Sequence, residues 1–237
     1  RRSLRVSEVA DLVRAVREAA PDAVCLVDNC YGEFAEESEP AAVGADLVAG
    51  SLIKNPGGGL APTGGYVAGG AKWVRAVAAR FMGPGLEGRV GGLQGFNRPM
   101  FQGFFCAPHV VAEAMRGAVF ASALFGSLGF EVSPGPSEPR GDIVQSVTLG
   151  SPEALKEFCA AIQATSPVDS HLVPVPAETP GYADHVIMAG GTFVQGSSIE
   201  LSADAPLRPP YAVFLQGGLS YQHVRIACLA AARRLLE

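Results

Sequence analysis

The chain has 237 residues, of which 48% are hydrophobic and 17% charged, enough apolar material for a sizeable core and too much for global disorder. A net charge of -5 and the absence of a lysine or arginine run exclude a basic nucleic-acid footprint or an anionic-membrane patch. Five cysteines, few and odd in number, do not make a disulfide scaffold, so a reducing compartment, the cytoplasm or an organellar stroma or matrix, is expected.

A helix is predicted over Val6 to Ala20, where Val6, Val9, Leu12, Val13 and Val16 recur at helical spacing. Arg1 stands where an initiator Met would, so the chain is read as starting within a longer protein. The apolar run Ala23 to Asp28 fits a strand buried on both faces, as in a parallel sheet. The following loop, with Glu33, Glu36, Glu37 and Glu39, is expected to be solvated. A second short strand is expected at Asp46 to Gly50 and a third at Tyr66 to Ala68, separated by a Gly-rich segment. A helix follows from Ala71 to Phe81.

Composition changes near Gln102, and the division between two domains is placed at 105/106. A long helix is predicted from Ala107 to Leu128. It carries His109, Glu113 and Arg116, so it reads as buried or half-buried and not as a membrane span. Strands are expected at Asp142 to Thr148, Val186 to Ala189, Ser198 to Leu201 and Tyr211 to Leu215. Helices are expected at Pro152 to Ala164, with Ser151 as N-cap, and at Tyr221 to Leu236. The order of elements reads as α/β followed by α+β.

Lysine is scarce: Lys54, Lys72 and Lys156 are the only three. Lys72 and Lys156 sit on helices beside other charges and have ordinary solvated readings. From Val43 to Val67 the only ionisable side chains are Asp46, Lys54 and Tyr66. Poor solvation of an ammonium favours the free amine, the form that attacks an aldehyde. Asp28 ends one strand, and Ser51 and Lys54 follow the next. In open α/β sheets such strand ends share a crevice. An acid and a lysine there match the needs of pyridoxal phosphate, whose aldehyde requires an amine and whose ring nitrogen requires a carboxylate. Tyr31 is placed to hydrogen-bond the ring's phenolic oxygen, and Ser51 the phosphate. An ordinary acid at a turn and an exposed loop lysine account for the same spacing. Arg208, in a loop after a predicted strand, is equally a carboxylate-binding guanidinium or a surface arginine. No histidine has a partner at metal-ligand spacing, so no metal is expected. The Gly57-Gly58-Gly59 run follows its lysine and is not a P-loop; close backbone approach to a ligand is its expected use.

The stretches VDNCYGEF (27–34) and GADLVAGSLIKNPGGG (44–59) resemble the Cys/Met-metabolism family of pyridoxal-phosphate enzymes of fold type I. More narrowly, they are similar to its methionine gamma-lyase or aluminium-resistance branch, as are LAPTGGY (60–66), FQGF (101–104), APHV (107–110), SPVDSH (166–171) and GSSIELSAD (196–204). The resemblance runs along essentially the whole chain. It implies part of a large, mostly parallel α/β domain over 1–105. A long connecting helix and a smaller α+β C-terminal domain then occupy 106–237. It implies that Lys54 carries the internal aldimine, Asp28 pairs with the pyridine nitrogen, Ser51 contacts the phosphate and Arg208 the substrate carboxylate. The implied chemistry is carbon–sulfur elimination on a sulfur amino acid, in a homodimer or homotetramer, with no nucleic-acid or membrane partner. Transsulfuration, racemisation or a non-catalytic assembly subunit are the alternatives. Two positions depart from the wider family: Ile53 stands where a Thr commonly precedes the lysine, and Asn55-Pro56-Gly57 replaces a Gly-His.

Overall fold

The computed structural model describes residues 2–83, 85–86 and 95–237. The first helix, α1 (Val6–Ala19), is amphipathic, but only Val9 and Val13 are fully buried. Its N-terminus is closed by Glu8, whose carboxylate accepts from the Arg5 N–H at 2.9 Å. Three strands follow, β1 (Leu26–Asp28), β2 (Leu47–Ser51) and β3 (Gly65–Gly69), ordered β1-β2-β3. β1 and β2 are parallel, in the register Asp28 to Ala49. β2 and β3 are antiparallel, so one of the two pairings is parallel where a mostly parallel sheet was expected.

β1 is an edge strand among the described residues. It is not buried on both faces: Val24 is 42% and Leu26 61% exposed. The glutamate loop differs too. Glu33 is buried, and Glu36 and Glu39 are half-buried. Each carboxylate has a donor to satisfy: Glu36 takes the Val6 N–H at 2.7 Å, and Glu39 takes the Phe34 N–H at 3.0 Å and the Asn29 amide at 2.7 Å.

After α2 (Ala71–Phe81) comes α3 (Asn97–Ser127), 31 residues long. It begins ten residues before the predicted start and runs straight through the 105/106 division. Pro99 lies in its first turn, where a missing N–H costs nothing. Pro108 is inside it. Its length and hydropathy would suffice to cross a membrane, but half of its most apolar window is buried in the fold.

The C-terminal sheet has five strands: β4 (Glu131–Ser133), β5 (Gln145–Thr148), β6 (Val186–Ala189), β7 (Ser202–Pro206) and β8 (Ala212–Gln216), in the order β4-β5-β8-β7-β6, antiparallel throughout. α3 and α4 (Pro152–Ala164) cover one face, and α5 (Tyr221–Leu236) packs against both of them. Phe125, Phe158, Ile162, Ile187, Val213 and Val147 are fully buried between them. Ser151 caps α4, its hydroxyl accepting from the Ala154 N–H at 3.1 Å. β7 lies four residues beyond the predicted Ser198 to Leu201. Those residues instead form the connection that touches the first sheet, where the Ile199 N–H donates to the Ile53 carbonyl at 3.1 Å.

Candidate active site

β2 ends at Ser51, and its chain turns at once: the Lys54 N–H donates to the Ser51 carbonyl at 3.3 Å, and a short 3-10 turn follows over Asn55–Gly57. Asn55 is fully buried and its side-chain amide donates at 2.9 Å to the carbonyls of both Tyr31 and Glu33. The turn bearing Lys54 is thereby tied to the loop after β1. The glycines behind it serve helix packing. A Cβ on Gly58 would collide with the Gly103 carbonyl of α3, and one on Gly103 with the Gly57 carbonyl. Close backbone approach is present, but its partner is α3.

Lys54 is half-buried, with its ammonium 4.5 Å from the centre of the Tyr31 ring. The sequence around it is apolar, yet the fold brings acidic side chains within reach of its charge. Its charge bears on Asp28, Glu33 and Asp204, favouring the ionised form of each. Asp28 is held below the usual carboxylate range by the Cys30 N–H, which donates to Oδ1 at 3.0 Å, then by the Cys30 thiol and Lys54. Asp28 is therefore a carboxylate at neutral pH. Burial pushes the Cys30 thiol up, against the pull of Lys54. Asp28 aligns with Ala49, two residues before Ser51, so strand alternation sends Asp28 and Ser51 to the same face.

Tyr31 adopts φ 72°, a left-handed backbone rare for a bulky residue. Its hydroxyl is buried without a partner. Burial first, and then the charge of Asp204, raise its pKa, while the neighbouring side chains of Ser197 and Gln216 pull it back. Asp204, on β7, is raised by burial while Gln216 and Lys54 draw it down. Neither Asp204 nor Gln216 stands out in the sequence. The one local signal for Asp204 is a charged residue between Ala203 and Ala205, both fully buried in the strand.

On the opposite side of β2, Glu33 is 4% exposed and its carboxyl is pushed up to about 7, chiefly by burial. The Tyr66 hydroxyl donates to its Oε1 at 2.8 Å, while Oε2 is buried without a partner. Gly50 leaves the room these two side chains fill, since a Cβ there would meet both.

Tyr31, Asp28, Ser51 and Lys54 thus gather around one strand end. Arg208 is not brought to them. The β7 end that meets Tyr31 is the Ser202 end, opposite Gln216, whereas Arg208 follows the other end. β7 ends at Pro206, and Arg208 lies in the turn beyond it, its N–H donating to the Pro206 carbonyl at 2.9 Å. It pairs with Asp184 at 3.5 Å and is 61% exposed. The loop geometry of two antiparallel strands puts it there, which a one-dimensional reading does not show.

A sequence model described as methionine gamma-lyase matches residues 1–236. The chain belongs to the methionine gamma-lyase family. It is 51% identical to the uncharacterized protein YnbB of Bacillus subtilis, over all of this chain and 56% of that protein. A solved structure from Clostridium novyi, a carbon-sulfur lyase involved in aluminium resistance, is 48% identical with a TM-score of 0.93, over 99% of this chain and 55% of that one. A Clostridium acetobutylicum structure, provisionally named cystathionine beta-lyase involved in aluminium resistance, is 46% identical with a TM-score of 0.95, over 100% of this chain and 55% of that one. The chain spans little more than half the length of these family members. The methionine gamma lyase CalE6 of Micromonospora echinospora, 18% identical with a TM-score of 0.61, shares the fold.

Proposed function

We propose that this chain carries the lysine-bearing part of a pyridoxal-phosphate-dependent carbon–sulfur lyase of fold type I. The observation that supports the reading is the convergence of Lys54, Asp28 and Tyr31, with the hydroxyl of Tyr31 buried and unpartnered. A buried polar atom without a partner calls for a group to fill it. An amine, an ionised carboxylate, a spare phenol and the Ser51 hydroxyl are a donor set that suits this cofactor's aldehyde, ring nitrogen, phenolic oxygen and phosphate. Membership of the methionine gamma-lyase family supports the same reading.

Bound pyridoxal phosphate supplies an electron sink for negative charge at the substrate's alpha carbon. The chain's residues do the rest. Lys54 Nζ would be the amine that holds the aldehyde and, when free of it, a base within reach of the alpha proton. The Asp28 carboxylate, kept ionised by the Cys30 N–H, would accept from a protonated ring nitrogen. The Tyr31 hydroxyl would donate to the phenolic oxygen; its ring lies beside the Lys54 amine. Ser51 would donate to the phosphate. The reaction we assign breaks the carbon–sulfur bond of a sulfur amino acid with uptake of one water, releasing a thiol, a keto acid and ammonia. With Arg208 held by Asp184 at the far end of β7, the carboxylate of the substrate has no partner assigned among the residues above. The reading carries a homodimer or dimer of dimers as the assembly, checked by light scattering. It keeps a division into two parts, with α3 as the element that spans both.

The test is a visible spectrum of the purified chain with pyridoxal phosphate, beside Lys54→Ala. A borohydride-reducible absorbance band that the variant lacks is the expected result. Identical spectra would show that this chain alone does not hold the cofactor through Lys54.

A further inference from the structure

The face of the C-terminal sheet turned away from α3 and α4 carries a cavity of about 250 Å³. Strand register builds it. Glu131 pairs with Thr148 and Ser133 with Ser146 across β4 and β5, and Ser146 pairs with Phe214 across β5 and β8. Alternation along each strand turns these side chains to one face and sends Val147 and Val213 into the core on the other. Arg208, in the turn after β7, closes the cavity on its far side. Neither Lys54, Asp28, Tyr31 nor Ser51 lines it.

The lining sets the class of ligand. Ser146 is 8% exposed, and its backbone carbonyl is taken by the Gln145 side-chain amide at 2.9 Å. Its hydroxyl faces the cavity, and among the described residues no protein group pairs with it. Opposite charges stand at the two sides: Glu131 on the edge strand β4 and Arg208 beyond β7, with β5 and β8 between them. Three strand spacings make that span roughly 14 Å, and the two side chains reach into it from opposite sides. Asp184 meets Arg208 only at Nη1, at 3.5 Å in a largely exposed pair, which leaves Nη2 and Nε to donate. The guanidinium suits a carboxylate and the Glu131 carboxylate suits an ammonium, while the hydroxyls of Ser133, Ser146 and Thr148 serve either group. A zwitterion answers both charges, whereas a simple carboxylate or a simple amine leaves one of them unmatched. Phe214 offers an apolar contact for a side chain.

We infer that this cavity is a binding site for a free amino acid, with its carboxylate on Arg208, its ammonium on Glu131 and its side chain against Phe214. The site is separate from the one at Lys54, and the inference stands independently of the function proposed above.

The test is calorimetry on the purified chain with L-norleucine, hexanoate and pentylamine. The last two keep the norleucine carbon arm and lack its ammonium and its carboxylate, respectively. Norleucine is expected to bind at least about tenfold tighter than either, a preference of about 1.4 kcal/mol. Arg208→Gln should lower norleucine affinity to that of pentylamine, and Glu131→Gln should lower it to that of hexanoate. Both side chains are exposed, so unchanged urea midpoints report that the variants are folded. Lys54→Ala should bind norleucine as the unaltered chain does, and loss of binding there would place the ligand at Lys54 and overturn the sheet-face site. Hexanoate or pentylamine binding as tightly as norleucine overturns the zwitterion. No saturation by norleucine below about 10 mM, or unchanged norleucine affinity in either charge variant, overturns the site itself.

Discussion

The strands Leu26–Asp28 and Val186–Ala189 are both short and apolar, and their burial is opposite. Leu26 is 61% exposed, while Val186 and Ile187 are fully buried. The C-terminal sheet is backed by α3 and α4, whose Phe125, Phe158 and Ile162 pack with Val213 of β8, and α5 packs behind them. The three-stranded sheet is met by α2 at β3, α1 packs on the 3-10 turn Pro40–Val43 before β2, and β3 is exposed along most of its length. Burial, and with it the hydrophobic stabilisation of roughly 25 cal/mol per Å², is therefore concentrated after residue 106. The candidate site lies where the well-packed part meets the lightly packed one, and the left-handed Tyr31 is found there.

The comparison predicts a large asymmetry under truncation. Phe158→Ala removes a fully buried ring from the C-terminal core and should cost about 3–5 kcal/mol. Leu26→Ala trims a side chain that is already in solvent, and should cost less than about 1 kcal/mol. Urea unfolding of both variants checks the pair. Similar losses would mean that β1 is covered in the folded protein.

Glu33 gives the next largest expected effect, and it acts on the lightly packed part. Its carboxyl rises from 4.5 unfolded to about 7 in the fold, because burial outweighs the Tyr66 hydrogen bond and the Lys54 charge, with Glu39 adding repulsion. The folded state thus holds the proton more tightly. The contribution is fully present below about 4.5 and is lost as pH rises through about 7, a change of up to about 3 kcal/mol. Unfolding free energies at pH 5 and pH 8 should differ in that direction for the parent. Glu33→Gln should flatten the difference and be the more stable protein at pH 8.

Much of the well-packed part was legible in the sequence. The bounds of α4, α5 and β6 follow from hydrophobic periodicity, capping residues and glycine breaks, as do those of α2 in the lightly packed part. β4, three residues long, carries too little pattern to read, and β7 was displaced by four residues because Ile199 and Leu201 mimic a strand while serving the junction. In the site, Lys54, Asp28, Ser51 and Tyr31 were legible because they lie within one strand-turn-strand segment. Asp204, Gln216 and the burial of Glu33 were not, since each depends on a contact made from far along the chain or across the sheet. The position of Arg208 is set in the same way: local sequence gives its loop, and the register of β7 against β8 decides which end of the sheet that loop occupies.

Helix capping sharpens the comparison at the smallest scale. Ser151 caps α4 inside the well-packed part, where Leu155 and Phe158 are fully buried, so a frayed first turn would loosen the core itself. Ser151→Ala should lower global stability by about 1 kcal/mol. Glu8 closes α1 in the lightly packed part, accepting from the Arg5 N–H and pairing with Arg2. It is solvent-screened, and its carboxyl is held down at about 2, first by Arg2 and then by the Arg5 N–H. Its stabilisation is present above the usual carboxylate pKa and lost as pH falls through about 2. Glu8→Ala should therefore shift global unfolding less than Ser151→Ala does. Its signature should be faster amide exchange over α1 alone, because a helix joined to the core by few buried groups opens locally before the protein unfolds. Equal shifts in global stability would show that α1 unfolds together with the C-terminal core.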